Sequence, residues 1–350
     1  MKCKSKESRT SALKLLSTLC KNNIKCEEFI LQKCLLPLTL SCKPHKSWAY
    51  IPSSESRSSF GYSGIKNLGC VCYMISMLQQ FYMIPQFRYL LLQANDKKAP
   101  NLTKNDIDDN LLHQLQTLFG FLELTERIDY NPNKFCYSFK DVDGNPTNIA
   151  IQQDAQEFLN MLFGRLETLL KDTTGKYLLQ SIFGGKTCSQ LICREGCKNI
   201  SKNYEDFYDL SVGVKGIGTL KESLEKFNKE ELISDYFCNT CQKKVNIVKR
   251  VCISELPNIL IVHLQRIIFN YDTFVNEKIN SKLEFPTSLN LEPYTEEGIE
   301  SREKDLKDFD HGHSNQYYEY KLIGIIQHYG TAEAGHYYSF INTKNKGKYK

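Results

Sequence analysis

Gly64-Ile-Lys-Asn-Leu-Gly-Cys-Val-Cys-Tyr-Met-Ile-Ser76 is the stretch from which the rest of the chain can be read. A glycine-containing turn runs straight into an apolar series with helical spacing. Met74, Met77, Leu78, Phe81 and Tyr82 share one face, and Pro85 is expected to stop the helix. The helix therefore starts at about Cys72. Uncompensated N–H groups and aligned peptide dipoles at a helix start favour negative charge, which lowers a cysteine pKa and raises its thiolate fraction. Cys70 lies two residues earlier, in the turn, and gains less from that field, so Cys72 is the candidate nucleophile. Alone this is weak evidence, because free cysteine is among the most buried residue types and usually only packs.

A matching histidine changes the balance, since such partners meet in space and not in sequence. Tyr320-Lys-Leu-Ile-Gly-Ile-Ile-Gln-His-Tyr-Gly-Thr-Ala-Glu-Ala-Gly-His-Tyr-Tyr-Ser-Phe340 reads as two strands joined by a glycine-flanked turn, with His336 opening the second. Gly335 removes a side chain where an extended substrate would pass close to the backbone. Between the two segments, Ala155, Phe158, Leu159, Leu162, Phe163 and Leu166 form one face of a helix beginning near Asp154. Asp154 and Glu157 there have the spacing of a capping box. After Gly185 the texture changes to short β-type runs such as Ile259-Leu-Ile-Val262 and Leu322-Ile-Gly-Ile-Ile326. The expected class is α+β, a helical lobe facing a β lobe.

Cys193-Arg-Glu-Gly-Cys197 and Cys238-Asn-Thr-Cys241 are close pairs separated by a long insertion, the arrangement of a four-cysteine zinc ribbon. Four thiolates close the coordination sphere, so the zinc is expected to be structural. Cys188 stands nearby as a less favoured alternative ligand. Fourteen cysteines in a long chain that lacks an apolar leader and gathers them in pairs fit a reducing compartment better than a disulfide scaffold.

The remaining composition narrows the function classes. Hydrophobic residues make up 41% and charged residues 24% of 350, ordinary globular usage. A net charge of +5 arises from 45 basic and 40 acidic residues without a basic stripe, which argues against nucleic acid and against a zinc-ribbon nucleic-acid binder. The longest apolar stretch, near Phe29 to Leu40, is interrupted by Gln32, Lys33 and Pro37 and falls short of the roughly 18 residues a membrane span needs, so no membrane anchor is expected. Cytoplasmic residence follows by default. Ser8 to Leu40 reads as two amphipathic helices, and the Ser-, Pro- and Gly-rich stretch from Lys43 to Ser63 as a linker containing Trp48. Residues 292–310 carry eight acidic and three basic residues without apolar period and read as a solvated excursion, with His311 and His313 just beyond as loop residues.

Together the two segments around Cys72 and His336 resemble the Cys box and His box of the ubiquitin-specific proteases. Gln153-Asp-Ala-Gln-Glu-Phe-Leu159 and Leu256-Pro-Asn-Ile-Leu-Ile-Val-His-Leu-Gln-Arg266 extend the resemblance from about Phe60 to the last residue. Trp48-Ala-Tyr-Ile-Pro52 and the helices before it are similar to the fat facets-type branch. The resemblance implies a papain-like fold with a helical thumb, a β-rich palm and zinc-ribbon fingers at about 185–255. It implies hydrolysis after the C-terminal glycine of ubiquitin, with ubiquitin and ubiquitinated proteins as partners. Carried over by position, Cys72 is the nucleophile, His336 the general base and Asn67 the oxyanion donor, while Asp154, Glu157, Gly335 and Tyr337 bind substrate. The implied organisation is a helical segment over 1–42 that ends a larger scaffold, a linker over 43–59, and a protease domain over 60–350. Cys70 and Ile75 depart from the family pattern without removing a catalytic group. The family's third catalytic residue, an Asp or Asn, follows an aromatic segment that begins here around Tyr349, so it is expected to lie past Lys350. Asn342 continues the His336 strand and is given no role. A module that binds ubiquitin without cleaving it is the rival reading.

Overall fold

The computed structural model describes residues 6–37, 57–58, 60–95, 106, 108–141, 143–194, 196–304 and 313–343. Trp48 and most of the expected linker, His311 and the aromatic start at Tyr349 lie outside the described residues. Helices α1 (Lys6–Cys20) and α2 (Ile24–Ile30) form a hairpin capped by Asn23, whose side chain accepts from Cys26 N–H, and a π turn over Leu31–Leu35 prolongs it. Its apolar residues do not join the core: Leu13, Leu19 and Phe29 are all exposed.

Strand β1 (Gly64–Ile65) pairs in parallel with β2 (Asp129–Tyr130) and sets the turn ahead of α3 (Cys72–Tyr82). Met74, Met77, Leu78, Phe81 and Tyr82 are buried, as their spacing requires. Pro85 does more than stop this helix. It occupies the first turn of α4 (Pro85–Gln93), where its missing N–H costs nothing. Helices α5 (Leu111–Leu124), α6 (Asn133–Ser138), α7 (Ala155–Leu170) and α8 (Leu178–Phe183) complete the helical lobe. A cluster of phenylalanines from five of these helices fills it, with Phe81 against Phe163 at 5.3 Å, Phe87 against Phe183 at 5.5 Å and Phe87 against Phe119 at 6.1 Å between ring centroids. Burying each such ring contributes roughly 2–3 kcal/mol, so this is the most heavily stabilised part of the molecule.

Strands β3 (Gly185–Ile192), β4 (Ile200–Phe207), β6 (Glu231–Cys238) and β7 (Lys243–Glu255) form an antiparallel sheet in the order β4-β3-β7-β6, the fingers. Strand β5 (Leu210–Gly213) leaves it, and after α9 (Leu220–Phe227) and the finger strands it pairs in parallel with β8 (Val262–Gln265). Strand β8 starts three residues later than the apolar run suggests, because Ile259 N–H donates to Ile182 O of α8 at 2.8 Å and docks that end of the run on the helical lobe. The palm also contains the hairpin β9 (Ile267–Asn270) and β10 (Val275–Lys278), and β11 (Ser288–Asn290). The acidic stretch is not simply a solvated excursion. Its first half forms α10 (Glu296–Glu303), capped by Thr295, with Ile299 buried against Cys188 and Cys252 of the finger sheet. Glu296 reaches Lys202 at 2.6 Å. Glu300 also pairs with Lys202, at 3.3 Å, and Glu303 with Arg250, and such pairing is invisible to a periodicity count. Helix α11 (Asn315–Tyr318) and β12 (Glu319–Lys321), partner of β11, lead to the hairpin of β13 (Gly324–Gly330) and β14 (Gly335–Ile341).

Candidate active site

Cys72 is the first residue of α3 and only 4% exposed. Val71 precedes it and supplies no side-chain cap, so the first-turn amides face the thiol region without a carboxylate or hydroxyl competing for them. The turn before it is held by a close backbone approach. Cys70 N–H donates to Ile149 O at 2.7 Å, and a Cβ on Gly69 would lie 2.4 Å from that same oxygen. Asn67 is exposed, and its Oδ1 accepts from Gly69 N–H at 3.2 Å. With its oxygen engaged in the turn, its NH₂ group is left to donate.

Strand β14 passes over the start of α3. Tyr337 N–H donates to Cys72 Sγ at 3.3 Å, and the Tyr337 ring is buried while its hydroxyl donates to Asp154 Oδ2 at 3.3 Å. Burial, and next to it the Asp154 carboxylate, push the Tyr337 phenol well above its usual range. His336 is the adjacent residue. Alternation along the strand turns its imidazole to the exposed side, with its ring centroid 6.5 Å from that of Tyr338. Cys72 and His336 are thus neighbours through the β14 backbone, and among the described residues no hydrogen bond joins the imidazole to the thiol.

The two acids expected to act alike differ. Asp154 caps α7, with Oδ1 accepting from Gln156 N–H at 2.7 Å and Glu157 N–H at 3.3 Å, and Oδ2 engaged with Tyr337. Glu157 is exposed, and its reciprocal bond to Asp154 N–H is absent among the described residues, so only half of the capping box forms. Gly335 donates its N–H to Gln152 Oε1 at 2.9 Å; a Cβ there would lie 2.1 Å from Tyr329 O and 2.4 Å from His328 Nε2. Its small size is required by the hairpin itself.

Several residues at this site escaped the reading from sequence. His328 stacks on Tyr337 with ring centroids 4.4 Å apart, its Nε2 lies 3.1 Å from Gln152 Nε2, and its Nδ1 is buried without a partner among the described residues. Burial, then the Lys278 cation, lower its pKa, so the neutral imidazole is favoured. Gln80 of α3 donates to Ile325 O at 3.1 Å and Phe340 O at 3.0 Å, which fastens the hairpin to the helix. A cleft of about 1080 Å³ opens between the lobes, lined among others by Asp154, His263, Lys278, His328 and Tyr337. A serine, a histidine and an aspartate also meet on its palm side, but not as a proton relay. Ser211 Oγ donates to Asp209 Oδ2 at 3.1 Å and so accepts from His263 Nδ1 at 2.9 Å, leaving the acid with no hold on the histidine.

At the fingertip, Cys193, Cys197, Cys238 and Cys241 bring their sulfurs within 4.8 Å of one another. The pairs Cys193–Cys241 and Cys197–Cys238 are each 3.7 Å apart, against about 3.8 Å for thiolates at the corners of a tetrahedron around Zn²⁺. The Cys241 backbone N–H draws the Cys238 thiol down to about 7, while the proton shared with Cys197 pushes Cys241 up to about 12. The donor set fits a metal. Cys188 is not part of it; it lies buried beside its cross-strand partner Cys252.

Residues 63–350 match the family model described as ubiquitin carboxyl-terminal hydrolase. Human ubiquitin carboxyl-terminal hydrolase 34 is 35% identical over 97% of this chain, and ubiquitin carboxyl-terminal hydrolase puf of Drosophila melanogaster 34% over 99%. Probable ubiquitin carboxyl-terminal hydrolase FAF, also of Drosophila melanogaster, is 30% identical over 98%. The chain spans only 9–14% of these relatives' own length. A solved structure described as the SAGA Ubp8/Sgf11/Sus1/Sgf73 DUB module bound to ubiquitin aldehyde superposes with a TM-score of 0.64 and 26% identity, covering 92% of this chain and 69% of that one. No helix among the described residues is long and apolar enough to cross a membrane. With a helical lobe, a palm and a finger sheet arranged about Cys72, and a family model matched from residue 63 to residue 350, the chain belongs to the ubiquitin carboxyl-terminal hydrolase family.

Proposed function

We propose that the chain is a thiol-dependent deubiquitinase that hydrolyses the bond after the C-terminal glycine of ubiquitin. The observation that carries this reading is the buried Cys72 thiol at the uncapped start of α3, bound by the Tyr337 amide next to His336, with Tyr337 itself lining the inter-lobe cleft. His336 turns toward Sγ, takes the thiol proton and later gives it to the leaving amine. Cys72 attacks the glycine carbonyl to form a thioester, which water then hydrolyses with His336 again as base. The Asn67 NH₂ and the first-turn amides stabilise the oxyanion. Glu157, exposed on the first turn of α7, is the acid available to an arginine of the substrate. Asp154 supports Tyr337, and Gly335 keeps the hairpin slim beside the passing chain.

The four fingertip cysteines hold a structural zinc ion, which fastens a lobe with little core of its own. Residues 1–42 end a larger helical scaffold, in keeping with the exposed apolar faces of α1 and α2. Residues 43–59 link it to the protease domain over 60–350, with fingers at about 185–255. Ubiquitin and ubiquitinated proteins are the partners, nucleic acid and membranes are not, and the compartment is the cytoplasm.

The exposed His336 imidazole favours a second reading, a module that holds ubiquitin without cleaving it. Incubating the purified chain with ubiquitin that carries a C-terminal thiol-reactive group, and Cys72→Ala as control, separates the two. Covalent labelling at Cys72 is expected. Ubiquitin binding without labelling would replace the protease with the binding module.

A further inference from the structure

The hairpin that carries His336 is gripped at its turn from two sides. Lys278 of β10 donates from Nζ to His328 O at 3.1 Å and to Gly330 O at 3.0 Å. Those carbonyls flank Tyr329, and Tyr329 is the cross-strand partner of His336. From the helical lobe, Gln152 accepts from Gly335 N–H at 2.9 Å. The loop between is tight: Thr331 N–H and hydroxyl both bind Ala334 O, and Gly330 has φ +117 with no room for a Cβ.

Among the described residues Lys278 forms no ion pair. It directs two of its three donors at main-chain oxygens, which is how a side chain fixes a backbone path and not how a surface cation usually behaves. It is half-buried against the cleft, where burial and the nearby Arg266 both disfavour its charge, so the two carbonyls replace solvation that it has lost. Without the ammonium, His328 O and Gly330 O at the cleft lose their partner and the β13 end of the ladder loosens opposite His336.

We propose that Lys278 is a positioning residue for His336, holding the β13–β14 turn so that the imidazole can turn to the Cys72 thiol; this rests on the reading of Cys72 and His336 given above. Positioning errors of about 1 Å cost on the order of a hundredfold in rate, so kcat on a ubiquitin C-terminal amide should fall by that order in Lys278→Met and recover in Lys278→Arg, which keeps paired donors.

A readout that does not involve ubiquitin separates this from a direct substrate contact. The rate at which iodoacetamide alkylates Cys72, followed by peptide mass spectrometry across pH, reports how the thiol and imidazole interact. The expected result is a Lys278→Met profile displaced toward that of His336→Ala, with Lys278→Arg matching the unaltered chain. A Lys278→Met profile equal to that of the unaltered chain, with KM raised and kcat kept, overturns the proposal and makes Lys278 a ubiquitin contact. If His336→Ala itself leaves the profile unchanged, the assignment of the base falls, and the clamp falls with it. Circular dichroism checks the fold of each variant, and Lys278→Gln, read against the same outcomes, replaces the Met variant should that one not fold.

Discussion

The side-chain oxygen of Asn67 is committed to Gly69 N–H, and its NH₂ group is left to donate ahead of Cys72. These two tasks separate by substitution. Asn67→Asp keeps the acceptor that shapes the turn and loses the donor, whereas Asn67→Ala loses both. If the NH₂ stabilises the oxyanion, each variant loses about 10²- to 10³-fold in kcat on a ubiquitin C-terminal amide with KM nearly unchanged. Retention of activity by the aspartate variant would reduce Asn67 to a turn residue. Its neighbour shows how unevenly single residues reveal themselves. Cys72 is legible because a glycine turn, a helical apolar period and a thiol coincide within a dozen residues. Gly69 is legible as a turn, but its need for bare backbone comes from Ile149 O, 80 positions away in the chain. His328 sits inside the same quoted segment as His336 and carries no signal of its own, because nothing local distinguishes a histidine packed against a tyrosine from one facing water.

At the scale of elements, α3 and α7 are readable from sequence since each buries one face, and a period of 3.6 reports that kind of face, while the other helices of the first lobe are not individually read. The acidic stretch departs from the solvated excursion its composition suggests because α10 buries little more than Ile299, which no apolar period announces, and pairs Glu296 with Lys202 of the finger sheet. The fingertip was readable as a donor set from cysteine spacing alone, whereas the closeness of the four sulfurs depends on Gly196. A Cβ at that position would lie 2.6 Å from Cys241 Sγ and 2.9 Å from Cys193 Sγ. The purified chain is therefore expected to release about one zinc ion per molecule to a chromogenic chelator after thiol modification, and Gly196→Ala to bind it more weakly. Stripping the metal should lower the thermal midpoint of the finger sheet while leaving the phenylalanine core of the helical lobe folded, which near-ultraviolet circular dichroism would follow. A chain that carries no zinc and keeps its midpoint in chelator would remove the metal from the account.

The lobes of the whole molecule are joined by side chains far apart in sequence: Gln80 to the β13–β14 ladder, Gln156 to Asp209 at 3.3 Å, Asp154 to Tyr337, and Gln152 to His328 and Gly335. None of these pairs is implied by the period of its own element, which explains why the lobes could be read separately and the cleft between them could not. One of the ties should make stability depend on pH. Burial and the Lys278 cation depress the His328 pKa from its ordinary 6.5, so the unfolded chain takes up this proton before the folded one does. The stabilisation from a neutral His328 is then fully present above about pH 6.5 and is lost as pH falls through that value toward the depressed one. In urea titrations between pH 8 and pH 5.5, the unaltered chain should lose stability more steeply below about pH 6.5 than His328→Gln, which keeps a polar group beside Gln152 and has no proton to gain. Other groups titrate in both proteins and cancel in the difference. Parallel curves would show that His328 changes its charge equally in the folded and unfolded chain, and that the tie between the lobes does not sense pH at all.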